Sequence, residues 1–160
     1  MFETKNDLDR AIRQQATELL NDRLADCIDL YTQVKHAHWN VKGPEFIALH
    51  RLFDEISEAV VRYVDTLAER AVQLGGIVQG TARSVAKRSS LPEYPAIAVD
   101  GCEHVEALST ALAAFGKLAR KGIEEANKLT DLDTADVFTE VSRGIDKWLW
   151  FVEAHQQSAR

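Results

Sequence analysis

PEFIALHRLFDEISEAVVRYVDTLAERAVQLGG, residues 44–76, decides the fold. Its apolar residues Phe46, Leu49, Leu52, Phe53, Ile56, Val60, Val64 and Leu67 recur at intervals of three and four, the period of an amphipathic helix. Gly43-Pro44 opens the segment, with proline suited to the first helical position. Gly75-Gly76 closes it, where left-handed backbone is usual. One unbroken helix is therefore expected from Pro44 to about Leu74. It carries two chemically loaded pairs, His50 with Asp54 and Asp65 with Glu69, each spaced i, i+4. With His38 just upstream they form the densest set of metal-type ligands in the chain. At about 100° per residue, Asp54, Asp65 and Glu69 fall about 40°, 60° and 100° from His50, on one stripe. Yet fifteen residues separate His50 from Asp65, about 22 Å along the axis. An ion reaches its nitrogen and oxygen ligands at roughly 2.0–2.2 Å, so the two pairs cannot share one within a straight helix. Either there are two half-sites, or a second copy of the chain completes the site.

Working outward, a first helix is expected from about Asn6 to Trp39, with Leu8, Ile12, Ala16, Leu20, Leu24, Cys27, Tyr31 and Val34 on its stripe and Asn6 or Asp7 as N-cap. Residues 77–100, with Pro92 and Pro95, are too long for a tight turn and read as a crossover in which Thr81–Arg88 forms a short helix. Asp100 is the expected N-cap of a helix carrying Val105, Leu108, Leu112, Phe115, Leu118 and Ile123. Gly122 within it suggests close packing, since glycine costs about 1 kcal/mol there relative to alanine. The last helix is expected from Asp133 to His155, with Asp133 as N-cap. No strand-like alternation stands out. Two helix pairs separated by a long crossover make an all-α four-helix bundle of ferritin-like connectivity.

The chain has 160 residues, 46% of them apolar, which suits one domain over residues 1–160 with a real core. No apolar run approaches the roughly 20 residues that span a bilayer, and the first residues lack a signal-peptide pattern, so a cytoplasmic protein is expected. Cys27 and Cys102 have no metal-ligand spacing and read as ordinary core cysteines in a reducing compartment. The formal charge is −6, without blocks of like charge. Such a chain attracts cations and repels phosphate backbones. The basic groups Arg83, Lys87, Arg88 and Lys117, Arg120, Lys121 read as solvated helix faces.

An intrachain diiron bundle places Glu-x-x-His on facing helices. None of His36, His38, His50, His104 or His155 has an acidic residue three positions earlier. The set His38, His50, Asp54, Asp65 and Glu69 is what remains. Exposed acidic pairs and hydrogen-bonded histidines could account for it without metal. If it binds metal, mixed imidazole and carboxylate donors suit iron, zinc or manganese rather than a thiolate-seeking ion. His36 is off the His38 face, Glu58 lies at about 80° on the ligand stripe without a clear role, and His104 and His155 read as surface or cap residues.

Lys35-His36-Ala37-His38-Trp39-Asn40-Val41-Lys42-Gly43 resembles the signature of the Dps family, the mini-ferritins named as DNA-binding proteins from starved cells. So do Phe46 through Asp54, Asp65 through Gly76, Asp133-Thr134-Ala135-Asp136 and Asp146 through Phe151. The likeness runs in order over roughly residues 20–155. It implies a hollow shell of twelve subunits with iron-oxidising centres at twofold interfaces. His38, His50 and Asp54 would come from one subunit and Asp65 and Glu69 from its partner, which resolves the distance problem. It further implies Fe²⁺ oxidation by hydrogen peroxide (or O₂), storage as Fe³⁺ mineral, and zinc as a substitute metal. Trp39 is implied as a radical trap, with a buried aromatic anchor as the compatible plainer role. Asp131, Asp133 and Asp136 are implied at an acidic threefold pore, Asp133 foremost; helix capping is the plainer reading.

DNA-binding members commonly carry a basic terminal tail. Here Lys5 is offset by Glu3 and Asp7, and the last six residues hold one arginine, so weak or no DNA binding is expected. A nucleoid-associated protein for which iron handling is secondary is the alternative.

Overall fold

In the computed structural model, which describes residues 1–157, five helices account for most of the chain: α1 (Arg10–Asn40), α2 (Phe46–Gln73), α3 (Ala82–Arg88), α4 (Gly101–Lys128) and α5 (Leu132–Glu153). The four long helices are the bundle and α3 lies in the crossover, as the periodicity predicts. Among the described residues the only β-type pairing is an isolated bridge between Lys42 and Asp100. Short turns join α1 to α2 and α4 to α5, so each pair packs antiparallel. Their apolar stripes meet in one core whose largest fully buried side chains include Phe53, Phe115, Phe138, Leu20 and Leu24. Removing that apolar surface from water is the main stabilising term of the fold.

The helix ends show where local chemistry overrode the periodic pattern. Helix α1 starts at Arg10, four residues later than expected. Asn6 does not cap it: its side-chain oxygen accepts from the Leu8 N–H at 3.0 Å, a local turn that competes with helix. Pro44 precedes the N-cap residue Glu45 instead of opening α2. At the other end the expectation holds. Gly75 is left-handed (φ 81°), and the Gly75 and Gly76 N–H groups close on Val72 O and Ala71 O at 2.8 and 2.9 Å. A Cβ on Gly75 would sit 2.6 Å from the backbone oxygen of Phe2, so both conformation and space require glycine. Asp100 caps α4 in a full capping box with Glu103. The α5 cap is Asp131 rather than Asp133: the Asp131 carboxylate accepts from the Thr134 N–H at 3.1 Å. Gly122 does mark close packing, since a Cβ there would lie 3.1 Å from the Phe138 ring.

The crossover runs along the flank of α1 and is pinned by polar contacts. Asp26, fully buried, accepts from the Ser90 N–H (2.8 Å) and hydroxyl (3.0 Å) and pairs with Arg23 (2.8 Å). Ser89 donates to Asp29 and Gln33 to the Pro92 carbonyl. Arg88, expected on a solvated face, instead ties α3 to Glu18 and Asp22. Cys27 is buried as expected, and burial pushes its thiol well above the usual range. Cys102 is not a core residue: it lies exposed in the first turn of α4, because the apolar stripe there runs through Val105 and Leu108.

Candidate metal centre

The turn between α1 and α2 brings the end of one helix against the start of the other, and His38 meets His50 across it. The imidazoles stack with centroids 3.8 Å apart and planes 22° from parallel. His38 Nδ1 lies 2.8 Å from the His50 carbonyl oxygen, and His50 Nδ1 lies 2.9 Å from the His38 carbonyl oxygen. A carbonyl oxygen only accepts, so each Nδ1 must carry the hydrogen and donate. In the neutral ring that leaves Nε2 of both histidines with its lone pair available, the tautomer and fixed orientation a metal ligand needs. One chain thus supplies two pre-oriented imidazole donors.

Asp54, one helical turn beyond His50, joins them, its Oδ1 3.9 Å from His38 Nδ1. Lys35, a turn before His38 on α1, bonds that same oxygen at 2.8 Å. The ammonium, by its hydrogen bond first and by its charge as well, holds the Asp54 carboxyl below the usual carboxylate range. Sequence reading missed Lys35; its i, i+3 spacing from His38 was the available signal. Lys35→Met should move the Asp54 titration upward, toward that of an ordinary aspartate, in a carboxyl-carbon NMR titration. An unchanged titration would show that the contact does not persist in solution.

Asp65 and Glu69 are not part of this cluster. Both are exposed, on the solvent side of an α2 that is continuous from Phe46 to Gln73, so the axial separation of about 22 Å from His50 stands. Among the described residues of one chain, no three His, Cys, Asp or Glu side chains form a group that could hold a metal ion. Glu58 is exposed on the same helix. Trp39 is 70% exposed on the protomer, with the Lys35 ammonium 5.9 Å from its ring centroid, and so is no buried anchor here.

The three aspartates at the α4–α5 corner divide. Asp131 is 1% exposed and accepts from Arg70 Nη2 at 2.7 Å and the Thr134 hydroxyl at 2.6 Å. Its carboxylate is committed inside the protein. Asp133 and Asp136 are exposed, Asp133 with Arg70 Nη1 at 3.7 Å. Of the other histidines, His155 is at the surface, 3.6 Å from Glu45. His104, expected at the surface, is fully buried, its Nδ1 2.6 Å from the Tyr94 hydroxyl. The spacing His104, Leu108, Ala111, Phe115 was the sign that it faces the core.

The ferritin-like domain model matches residues 17–160. The chain is 42% identical over 154 residues to the DNA protection during starvation protein of Agrobacterium fabrum, covering 96% of this chain and 95% of that protein. It superposes on the Mycobacterium smegmatis Dps tetragonal form with a TM-score of 0.92 and 32% identity, covering 98% of this chain and 95% of the other. A Dps protein of Vibrio cholerae, described as a member of a broad superfamily of ferritin-like diiron-carboxylate proteins, matches at a TM-score of 0.90 and 25% identity over 98% of each chain.

Proposed function

Since the chain belongs to the Dps family of ferritin-like proteins, we propose that it oxidises Fe²⁺ at centres completed between two copies of itself and stores the Fe³⁺ product in a hollow shell, protecting the cell from oxidative damage. The observation that carries this reading is the reciprocal His38–His50 hydrogen bonding, which prepares two Nε2 donors without completing a coordination sphere. Asp54 adds one carboxylate. Two antiparallel copies of α2 across a twofold axis would bring Asp65 and Glu69 of one protomer to the histidines of the other. An isologous contact makes two equivalent sites per dimer.

Iron is substrate here. Mixed imidazole and carboxylate ligation suits Fe²⁺, and the same donors suit zinc as a substitute. Additional carboxylate charge favours the ferric product. Hydrogen peroxide is the proposed oxidant, with O₂ as the second choice. The chain's own part is to orient two imidazoles, keep Asp54 ionised beside Lys35, and present an acidic pair to its neighbour. The proposed assembly is a dodecamer, with Asp133 and Asp136 at the iron-admitting pore and Asp131 serving as the buried cap behind them. Trp39, exposed beside His38, is the proposed radical trap. No helix among the described residues is long and apolar enough to cross a membrane, and the cytoplasm is the proposed compartment.

Nucleoid association is the second reading, motivated by the name of the Agrobacterium relative. The net charge of −6 disfavours phosphate binding, so we place it behind iron oxidation. Native mass, iron retained after Fe²⁺ loading with peroxide, and duplex-DNA retention measured on one preparation separate the readings. An iron-filled dodecamer that leaves DNA free is expected. A monomer that keeps no iron would refute the proposal, and tight DNA retention at physiological salt without iron uptake would favour the alternative.

A further inference from the structure

Away from the metal centre, the least satisfied buried polar groups lie where the crossover meets α1 and α4. Tyr94, in the crossover, puts its hydroxyl 2.6 Å from His104 Nδ1 on α4. His36 on α1 meets the Tyr94 ring edge-on, with centroids 5.1 Å apart. The Nε2 atoms of both His36 and His104 are buried without a hydrogen-bond partner among the described residues. Native proteins leave few such atoms, and each asks for an explanation beyond stability. His36, Trp39 and Tyr94 also line a single groove of about 780 Å³, so the cluster and the exposed indole beside His38 share one surface.

Of the three tyrosines, Tyr94 alone has an imidazole nitrogen within hydrogen-bond reach of its hydroxyl among the described residues. This matters for one-electron chemistry. A phenol that loses an electron becomes a strong acid, and oxidation is eased when a base already holds the departing proton. Burial raises the Tyr94 phenol well above its usual range, so it is not ionised beforehand and loss of the electron also releases the proton. Burial lowers the His104 pKa below the usual histidine value, which favours the neutral ring whose Nδ1 accepts from the Tyr94 hydroxyl. Tyr63 is raised by burial as well but has no such base.

We propose that Tyr94 and His104 form a redox-active pair that takes up stray one-electron oxidising equivalents. The proposal rests on the iron-oxidation reading for the origin of its oxidant in the cell. A ferrous ion that reduces peroxide by one electron yields hydroxide and a hydroxyl radical. The radical takes one electron from Tyr94 and becomes hydroxide. The phenolic O–H bond breaks, and its proton forms an N–H bond at His104 Nδ1, leaving a neutral tyrosyl radical beside an imidazolium. One electron from a second ferrous ion, which becomes ferric, and return of the same proton restore both side chains. Trp39, exposed on the protomer and lining the same groove, unlike the similarly exposed Trp150, is the point of first attack from which the oxidising equivalent passes inward.

The deciding experiment uses the assembled, iron-free shell and azide radicals made by pulse radiolysis, which oxidise exposed tryptophan first. The wild type should show indolyl absorbance decaying into tyrosyl absorbance at a rate independent of protein concentration. Tyr94→Phe keeps the ring and its packing and should lose that tyrosyl growth, the indolyl radical then persisting. His104→Gln should slow the growth while leaving Tyr94 in place. Tyrosyl growth in Tyr94→Phe equal to wild type would overturn the proposal, as would a wild-type shell with no intramolecular growth. A structural role alone would move none of these signals. Freeze-quench electron paramagnetic resonance after Fe²⁺ and peroxide tests the other premise separately: a wild type that oxidises no iron refutes the iron reading, while the iron-free measurement still decides the pair.

Discussion

Replacing Asp65 and Glu69 together with alanine is expected to abolish rapid Fe²⁺ oxidation while leaving the shell assembled. Both side chains are exposed and neither takes part in an ion pair or side-chain hydrogen bond among the described residues, so their loss removes nothing that holds the protomer together. Exposed substitutions of this kind usually change stability by less than about 0.5 kcal/mol. The chemistry should nevertheless fail, because His38, His50 and Asp54 alone leave an ion without the partner's carboxylates. A complementation test separates an intersubunit site from two half-sites. His38→Ala/His50→Ala protomers, dissociated and reassembled with an equal amount of Asp65→Ala/Glu69→Ala protomers, form mixed dimers in which one of two sites has every ligand intact. Random pairing then restores about a quarter of the wild-type rate from two inactive parents. No recovery in shells of verified mixed composition would refute the shared site, and wild-type rates in the Asp65→Ala/Glu69→Ala shell would refute the ligand assignment itself.

The same geometry explains which parts of this protein were legible before any coordinates. Periods of three and four are set by helix geometry, so the four long helices and the short crossover helix could be read directly. The rise per residue alone keeps His50 and Asp65 apart in one helix, and α2 is indeed unbroken between them. Helix ends were less legible because several residues compete for each cap. Asn6 had a closer partner in Leu8, and Asp131 rather than Asp133 reached the open N–H of Thr134. Contacts made by the crossover were out of reach, since nothing local specifies which helix a long connection will follow. Arg88 is the example, tied to Glu18 and Asp22 by a path no local pattern specifies. His104 and Lys35, by contrast, carry helical spacings that point to the core and to His38.

Asp131→Ala is expected to destabilise the protein by about 3–5 kcal/mol, the range for breaking a buried ion pair from one side. Arg70 and Asp131 are both buried, and Arg70 donates to the Asp131 carboxylate at 2.7 Å and to the Thr134 hydroxyl at 2.9 Å. Losing the carboxylate strands a guanidinium whose remaining anionic neighbour, Asp133 at 3.7 Å, is largely in water. It also removes the cap of α5, a loss typically about 1 kcal/mol. Asp131→Asn separates the two contributions, because asparagine caps as well as aspartate but carries no charge: it should recover the cap's share only. Chemical denaturation at matched protein concentration measures both variants, since assembly itself shifts apparent stability. A loss below about 1 kcal/mol for Asp131→Ala would show that the pair is energetically idle. Iron oxidation is the complementary readout. Arg70 anchors the end of α2 that presents Glu69, yet Asp131 touches none of the proposed ligands, so the folded variant should keep its activity at temperatures where the wild type still has a wide margin.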